Sequence, residues 1–220
     1  MVQERSERTR GRLVAAGAAL FDRRGYAGAT LGEIAGAAGV TKGALYFHFA
    51  SKEDLARAVF EQAERSLRTA CAAPHFGSSP LQALIDAGYW LVDALGSDAV
   101  IRAAFRLGRD GEWQTEPRPA QPPGGFAGMQ GFQGVWAGVV RDLLFGARRA
   151  GELRDRSGGF GPETLVLAAA CGLEVVFVDG CPTEERARRV GALWDWLLPC
   201  LVPPGGSGGY RTRPTAPQPA

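Results

Sequence analysis

The sequence has few of the residues that metal sites and catalytic centres need. Its 220 residues include two histidines, His48 and His75, and four cysteines, none of them in a CxxC pair. Metal-ligand spacing, a nucleophile elbow and a phosphate loop are all missing. A catalytic histidine would also need a nucleophile and an orienting acid nearby, and the sequence suggests neither. These absences predict a protein that is not an enzyme, with no catalytic residue, no metal and no cofactor.

Long apolar runs are also missing. The most apolar stretch, 165–178, is too short to span a bilayer and contains Glu174. The charged N-terminus lacks the apolar region of a signal peptide, and isolated cysteines fit a reducing compartment. We therefore expect a cytoplasmic protein with no membrane partner.

The spacing of apolar residues predicts an all-α protein. Apolar side chains recur with a helical period along most of the chain, and no alternating run indicates a strand. Thr30 and Glu33 have the spacing of a capping box, and Thr41 has the position of the next N-cap. We expect helices over 8–24, 30–39, 41–49, 51–67, 80–95, 98–113, 129–150, 162–178 and 182–201.

Two of the short predicted helices are joined by a tight glycine turn, and together they form a helix-turn-helix. Leu45 and Phe49, four residues apart, give the second helix a buried side, and its opposite face is predicted to read DNA. Phe47 is either a packed or edge aromatic or a base contact. The predicted DNA-binding residues are Thr30, Thr41, Lys42, Gly43, Ala44, Tyr46, Phe47, His48 and Lys52.

Base contacts are expected from the first turn of that helix. Lys42 can reach guanine O6 and N7, while Thr41 and Ala44 can touch thymine methyl groups. Gly43 lets the backbone come close to the duplex. The net charge of the chain is only +2, but residues 1–60 carry nine basic and six acidic side chains. Positive charge is therefore concentrated where the DNA contact is predicted.

Phosphate contacts are expected beside the base contacts. Thr30 and Ser51 cap helices whose N-terminal N–H groups suit a phosphate, and Lys52 adds a positive charge at one of them. Tyr46 and His48 can donate hydrogen bonds to the DNA backbone. Such contacts fix the register of the protein without selecting a sequence.

A longer pattern covers roughly residues 9–59 and consists of Phe21, Gly25, Tyr26, Thr30, Ile34, Ala35, the run Gly39 to Phe49, and Lys52 to Leu55. This pattern resembles the N-terminal domain of TetR-family regulators. The stretch 42–49, following 21–26, is similar to the γ-butyrolactone autoregulator receptors of antibiotic-producing bacteria. The resemblance implies a homodimeric repressor that binds a palindromic operator and is released by a small hydrophobic signal such as a γ-butyrolactone. The alternative is a TetR-type regulator that answers to an antibiotic or to no ligand.

Aromatic residues recur on the middle helices of the predicted C-terminal domain, which is typical of an apolar ligand pocket. An ordinary aromatic core would give the same pattern. The resemblance implies a pocket tryptophan on the helix after the central loop, and Trp136 is the candidate there. The predicted ligand contacts are Trp136, Phe132, Phe105 and Trp90.

The last two helices are expected to form the dimer contact. Their apolar residues recur at helical spacing, and the resemblance implies a four-helix bundle with the partner subunit. Glu174 is either a polar group in the pocket or an interface residue. The predicted interface residues are Val166, Leu173, Phe177, Val190, Trp194, Leu197 and Leu201.

Glycine and proline cluster between the ordered blocks, and these clusters suggest the domain limits. Residues 114–128 contain four prolines and are predicted to form a loop. We expect a three-helix helix-turn-helix domain at 1–52 and a helical ligand-binding and dimerisation domain at 53–202. The composition of 203–220 predicts a disordered tail.

Overall fold

The structure is a computed structural model that describes residues 2–72, 79–110, 131–154, 162–177 and 182–213. Within these ranges the regular elements are α-helices and one short 3-10 helix, so the all-α prediction is confirmed. The predicted loop at 114–128 lies outside the described residues. The elements are α1 (Val2–Gly28), α2 (Leu31–Ala37), α3 (Lys42–His48), α4 (Lys52–Cys71), α5 (Pro80–Ser97), α6 (Ala99–Asp110), α7 (Gly131–Arg149), α8 (Pro162–Phe177), α9 (Thr183–Leu201) and a 3-10 helix at Gly206–Gly209.

The contacts of the chain divide it into two compact units. The first unit comprises Met1–Leu67 and Asp98–Val135, and the second comprises Arg68–Ser97 and Trp136–Ala220. The first unit therefore contains α6 as well as the predicted helix-turn-helix. The predicted division of functions between 1–52 and 53–202 stays a prediction.

Apolar side chains from α1, α2, α3 and α4 form the core of the first unit. Helices α1 and α4 approach closely at Gly17, where an added Cβ would stand 3.1 Å from Leu55 Cδ2. Each fully buried side chain of this size contributes about 1.5–3 kcal/mol of transfer free energy. The buried residues include Leu13, Phe21, Ile34, Leu45, Phe49, Leu55 and Val59.

Helix α1 changes direction at Gly25, which has a φ of 73°. The sequence predicted that the helix ends there, but helical structure resumes after the kink and continues to Gly28. An added Cβ at Gly25 would lie 2.8 Å from Asp110 Oδ2 of α6. Because glycine has no Cβ, it allows both the positive φ and the close approach of the carboxylate.

Helix α6 holds the C-terminal part of α1 through Asp22. Arg102 Nε donates to the Asp22 carboxylate at 2.8 Å, and Arg106 Nη1 donates to the Asp22 carbonyl at 2.6 Å. The Arg102–Asp22 pair is only about a quarter exposed on each side. It is therefore screened less by water and salt than a surface pair.

In the second unit, α5 packs against α8 and α9. Gly88 of α5 faces both neighbours, since an added Cβ would lie 3.6 Å from Trp194 Nε1 and 4.0 Å from Leu173 Cδ1. Trp136 Nε1 donates to the carbonyl of Ala170 at 3.0 Å, which joins α7 to α8. The buried indole N–H of Trp136 is thus paired with a backbone carbonyl.

The prediction of a disordered tail from Pro203 is wrong for its first part. Residues 210–213, here called the C-terminal strap, run beside α5. The side-chain amide of Gln82 pairs with the backbone of Arg211, accepting from its N–H at 2.8 Å and donating to its carbonyl at 3.2 Å. Residues 214–220 lie outside the described part of the chain.

The strap also contacts α9 and the middle of α5. The Tyr89 hydroxyl donates to the Thr212 carbonyl. Burial, followed by the charge of Asp195, raises the pKa of Tyr89 to about 12, so the hydroxyl remains a donor at physiological pH. Gly191 admits the strap, because a Cβ there would stand 3.0 Å from the Thr212 oxygen.

We expect Gly25→Ala to lower the free energy of unfolding by about 1–3 kcal/mol, since alanine strains at positive φ and its Cβ would meet Asp110. Gly11→Ala is the matched control in the same helix, because nothing lies within 4 Å of a Cβ added there. It should raise the free energy of unfolding by about 0.5–1 kcal/mol. Urea denaturation measures both changes. Equal unfolding midpoints for the two variants would contradict the assigned kink.

Candidate nucleic-acid interface

The predicted capping box at the start of α2 is confirmed. The Glu33 N–H donates to Thr30 Oγ1 at 3.3 Å, and the Thr30 N–H donates to Glu33 Oε2 at 3.2 Å. Arg24 pairs with the other Glu33 oxygen at 2.5 Å. Hydrogen bonds from Thr30 and then from Arg24 lower the pKa of Glu33. The carboxylate therefore stabilises the cap at neutral pH, and this contribution is lost as the pH falls through the lowered pKa.

The turn between α2 and α3 depends on Gly39, which has a φ of 63°. The Val40 N–H donates to the Ala35 carbonyl at 3.0 Å and closes the turn. The guanidinium of Arg12 donates to the carbonyls of Ala38 and Gly39. An added Cβ at Gly39 would lie 2.7 Å from Arg12 Nη2. Arg12 thus braces the turn, a role that its sequence position did not indicate.

Helix α3 begins as predicted, with the Thr41 hydroxyl accepting from the Ala44 N–H at 3.2 Å. Leu45 and Phe49 are buried, so the side assigned to the core is confirmed. Thr41, Lys42 and Gly43 are exposed, and Ala44 is half-buried.

The aromatic residues of α3 point to solvent. Phe47 is 80% exposed and Tyr46 is 57% exposed. His48 is half-buried and meets the Phe47 ring edge-on, with 5.2 Å between the ring centres. The packed alternative for Phe47 is therefore wrong. The sequence contained the signal, because a rotation of about 100° per residue places position 47 opposite the buried pair at 45 and 49.

Lys52 makes internal contacts that the sequence did not predict. Its Nζ donates to the carbonyls of Tyr26 at 2.9 Å and Ala29 at 3.2 Å, and lies 4.2 Å from the centre of the Tyr26 ring. A second cation, Arg10, lies 5.1 Å from the centre of the Phe49 ring. The ammonium of Lys52 thus ties α4 to the end of α1, and its predicted phosphate contact stays a prediction.

The four predicted ligand contacts are divided between the two units. Phe105 and Phe132 are buried in the first unit, where their rings meet edge-on at 5.0 Å and Phe132 meets Phe60 at 6.0 Å. Trp136 and Trp90 belong to the second unit, with Trp136 1% exposed and Trp90 half-buried. Their assignment to a ligand stays a prediction.

The predicted dimer residues are mostly buried within their own chain. A side chain with almost no exposed surface in one subunit has almost none to bury against another, so the assignment to the interface is wrong for these six. Phe177 and Glu174 lie on α8, and their side chains are outside the described part. The buried residues are Val166, Leu173, Val190, Trp194, Leu197 and Leu201, each at most 6% exposed.

The opposite sides of the same helices are exposed and also apolar. On α9, Trp196 is 82% exposed, and on α8, Leu165 is 55% exposed. Their neighbours at helical spacing are Ala192, Leu193, Pro199 and Cys200 on α9, and Ala168, Ala169 and Gly172 on α8.

The described residues give little indication of other chemistry. They include no group of three or more histidine, cysteine, aspartate or glutamate side chains placed to hold a metal ion. None of the described helices is long and apolar enough to cross a membrane. Burial raises the pKa of the Cys71 and Cys171 thiols, which lowers the fraction of reactive thiolate at neutral pH.

Comparison with known proteins gives the same picture. Residues 13–59 match the family described as "Bacterial regulatory proteins, tetR family". The A-factor receptor protein of Streptomyces griseus is 30% identical over 203 residues, which are 92% of this chain and 67% of the receptor. The similarity therefore extends well beyond the helix-turn-helix.

Solved structures extend the similarity to the fold. A crystal structure of a γ-butyrolactone receptor (ArpA-like protein) has a TM-score of 0.70 and 33% identity, covering 93% of this chain and 94% of that one. CprB from Streptomyces coelicolor, solved in complex with its biological operator sequence, has a TM-score of 0.70 and 32% identity over 93% and 94% of the two chains. With a relative of 30% identity matched over two thirds of its length, this chain belongs to the TetR family of bacterial regulatory proteins.

Proposed function

We propose that this protein is a transcriptional repressor that binds a palindromic operator as a homodimer and is released by a small hydrophobic ligand such as a γ-butyrolactone. The observation that carries the proposal is the exposed face of α3 on a braced helix-turn-helix. The relationship to CprB, solved with its operator, supports it. The protein would act in the cytoplasm as a DNA-binding regulator rather than as an enzyme.

The exposed face of α3 carries the groups that base recognition needs. Lys42 offers a flexible cation for guanine, and Gly43 leaves space for the duplex. Phe47, in the centre of the face, offers an apolar surface for thymine methyl groups. Tyr46 and His48 lie on either side and can donate to phosphates. The hydroxyl oxygens of Thr30 and Thr41 already accept hydrogen bonds as helix caps. A DNA contact from either hydroxyl would have to form while its cap hydrogen bond is kept.

The two lysines of the chain form a matched pair for testing this interface. Lys42 is exposed, so we expect Lys42→Ala to leave the melting temperature unchanged, to weaken operator binding by about 1–3 kcal/mol and to relax base preference. Lys52→Ala should instead lower the melting temperature, because it removes two hydrogen bonds to backbone carbonyls. Gel shifts and thermal melting separate the effects. Parental binding of operator and random DNA by Lys42→Ala would contradict the assignment of α3.

We propose that the dimer forms through the exposed apolar sides of α8 and α9. Trp196 would be the central contact, because a tryptophan that is 82% exposed has the largest apolar area to bury. The small residues Ala168 and Gly172 on α8 would let a second helix come close. This surface replaces the buried residues first assigned to the interface.

We expect Trp196→Arg to give a folded monomer with much weaker operator binding, since it places a charge in the apolar contact. Phe145→Arg is the control, because Phe145 is also large, apolar and exposed (62%) but lies on α7. Light scattering at micromolar concentration reports the assembly state, and circular dichroism reports folding. A Trp196→Arg protein that remains dimeric would place the interface elsewhere.

Ligand release requires that the ligand bind the operator-free arrangement more tightly than the operator-bound one. We propose Trp136 as a ligand contact in the second unit. Its indole is 1% exposed and hydrogen-bonded to α8, so a ligand that displaces it must also alter the α7–α8 contact. The similarity to a γ-butyrolactone receptor of known structure supports a γ-butyrolactone as the ligand class.

We expect Trp136→Phe to remain folded and to bind operator with near-parental affinity, but to require much more γ-butyrolactone for release. Trp194→Phe is the matched control, since it shortens another buried tryptophan of the same unit. It should reduce stability by a similar amount and respond to ligand normally. Gel shifts titrated with a γ-butyrolactone measure the response. Equal responses to the ligand in both variants would remove Trp136 from the ligand site. If γ-butyrolactones do not release the parental protein from DNA, the alternative is favoured, a TetR-type regulator that answers to an antibiotic or to no ligand.

A further inference from the structure

A surface groove lies between the first turns of α1 and the exposed side of α3. Its volume is about 760 Å³, and we call it the α1/α3 groove. Three of its lining residues belong to the proposed reading face. The groove is lined by Glu4, Arg5, Ser6, Arg8 and Thr9 of α1 and by Ala44, Phe47 and His48 of α3.

The α1 residues that line the groove precede, in the sequence, the residues that match the family. The family match begins at residue 13, whereas α1 begins at Val2. The additional turns are helical, and the Thr9 hydroxyl donates to the Arg5 carbonyl at 3.0 Å. Arg5 and Arg8 therefore lie on helix α1, beside α3.

The four arginines at the start of α1 have different surroundings. Arg10 lies over the Phe49 ring, and Arg12 donates to carbonyls at the α2–α3 turn. Arg5 and Arg8 are instead exposed and line the groove. Arg8 pairs with Glu4 at 3.6 Å, with both side chains more than 70% exposed. A pair that exposed is worth little in water, so Arg8 can exchange the carboxylate for a phosphate at small cost.

We propose that the α1/α3 groove holds one sugar-phosphate strand of the duplex whose major groove α3 enters, with Arg5 and Arg8 bound to its phosphates. The inference rests on the proposed DNA-binding function. Charge complementarity supports it, because the groove carries two arginines against one glutamate and has a hydroxyl donor in Ser6. Continuity supports it as well, since Phe47 and His48 line both the reading face and the groove. A strand leaving α3 on this side must pass the first turns of α1.

The test compares the salt dependence of DNA binding by the full-length protein. The probes are a 30-base-pair duplex selected by the parental protein from a randomised pool and an unselected duplex of equal length. Each phosphate contact contributes about 0.9 to the slope of log affinity against log salt. With two arginines in each of two subunits, Arg5→Ala/Arg8→Ala should reduce the slope by about 3–4 on the selected duplex. Affinity should fall on both duplexes while their ratio stays parental.

Two further variants control for charge and folding. Arg65→Ala removes an exposed arginine that pairs with Glu61 four residues before it, as Arg8 pairs with Glu4, but lies on α4 outside the groove. It should keep the parental slope, whereas Arg8→Ala should lower it. Arg5→Lys/Arg8→Lys keeps both charges and should stay near the parental slope. Thermal melting shows whether each variant is folded.

The outcomes separate this inference from the proposed function. If the parental protein selects a duplex but the double alanine variant keeps its slope, the groove does not hold phosphates and the proposed function stands. If the double variant changes the affinity ratio of the two duplexes, Arg5 and Arg8 read bases and the assignment to phosphates is wrong. A parental protein that selects no duplex would overturn both.

Discussion

Helices α2 and α3 contain seven residues each, too few for a helix to persist in water without support. Their shape depends on burying Ile34, Leu45 and Phe49 and on side chains that satisfy the ends of neighbouring elements. Arg12 occupies carbonyls at the turn, and Lys52 occupies carbonyls at the end of α1. The candidate interface is therefore held by cations that donate hydrogen bonds to backbone carbonyls of the protein itself. Removing one would disturb recognition without removing a contact to a base.

Positive charge in the first sixty residues thus has two uses. Part of it donates hydrogen bonds to backbone carbonyls of the protein, and part is exposed along α1 and α3. A count of charges does not separate these two uses. The excess of basic residues therefore points to a region of the chain but not to the role of each residue. The role of each arginine depends on what its side chain contacts. Arg10 lies over the Phe49 ring, whereas Arg5 lines an open groove.

The features that could be predicted from sequence depend on neighbours along the chain. The capping box of Thr30 and Glu33, the cap at Thr41 and the buried pair in α3 all follow from spacing within one helix. The exposure of Phe47 follows from the same spacing. The contacts of Lys52 could not be predicted, because Tyr26 and Ala29 meet it only after the chain has folded.

The proposed dimer surface illustrates a different limit. Both sides of α9 are apolar, so periodicity identifies two candidate faces and cannot say which one the chain covers itself. The regular spacing of Trp194 and Leu197 marked the inner face, while Trp196 marked the outer one. The two faces can be told apart only by the packing of α5, whose Gly88 leaves room for Trp194.

The C-terminal strap has a consequence for tolerance to sequence change. The hydrogen bonds of Gln82 and Tyr89 are made to backbone atoms of Arg211 and Thr212. They therefore fix the path of the strap and place little requirement on the identity of its side chains. Related chains could therefore differ widely at 211 and 212 and still follow the same route, except for a proline at 211, which has no N–H to offer. The residues under stronger selection would be the ones beneath it, Gln82 and Gly191. In an alignment of relatives, the strap would vary like a tail, whereas the positions of Gln82 and Gly191 would be conserved.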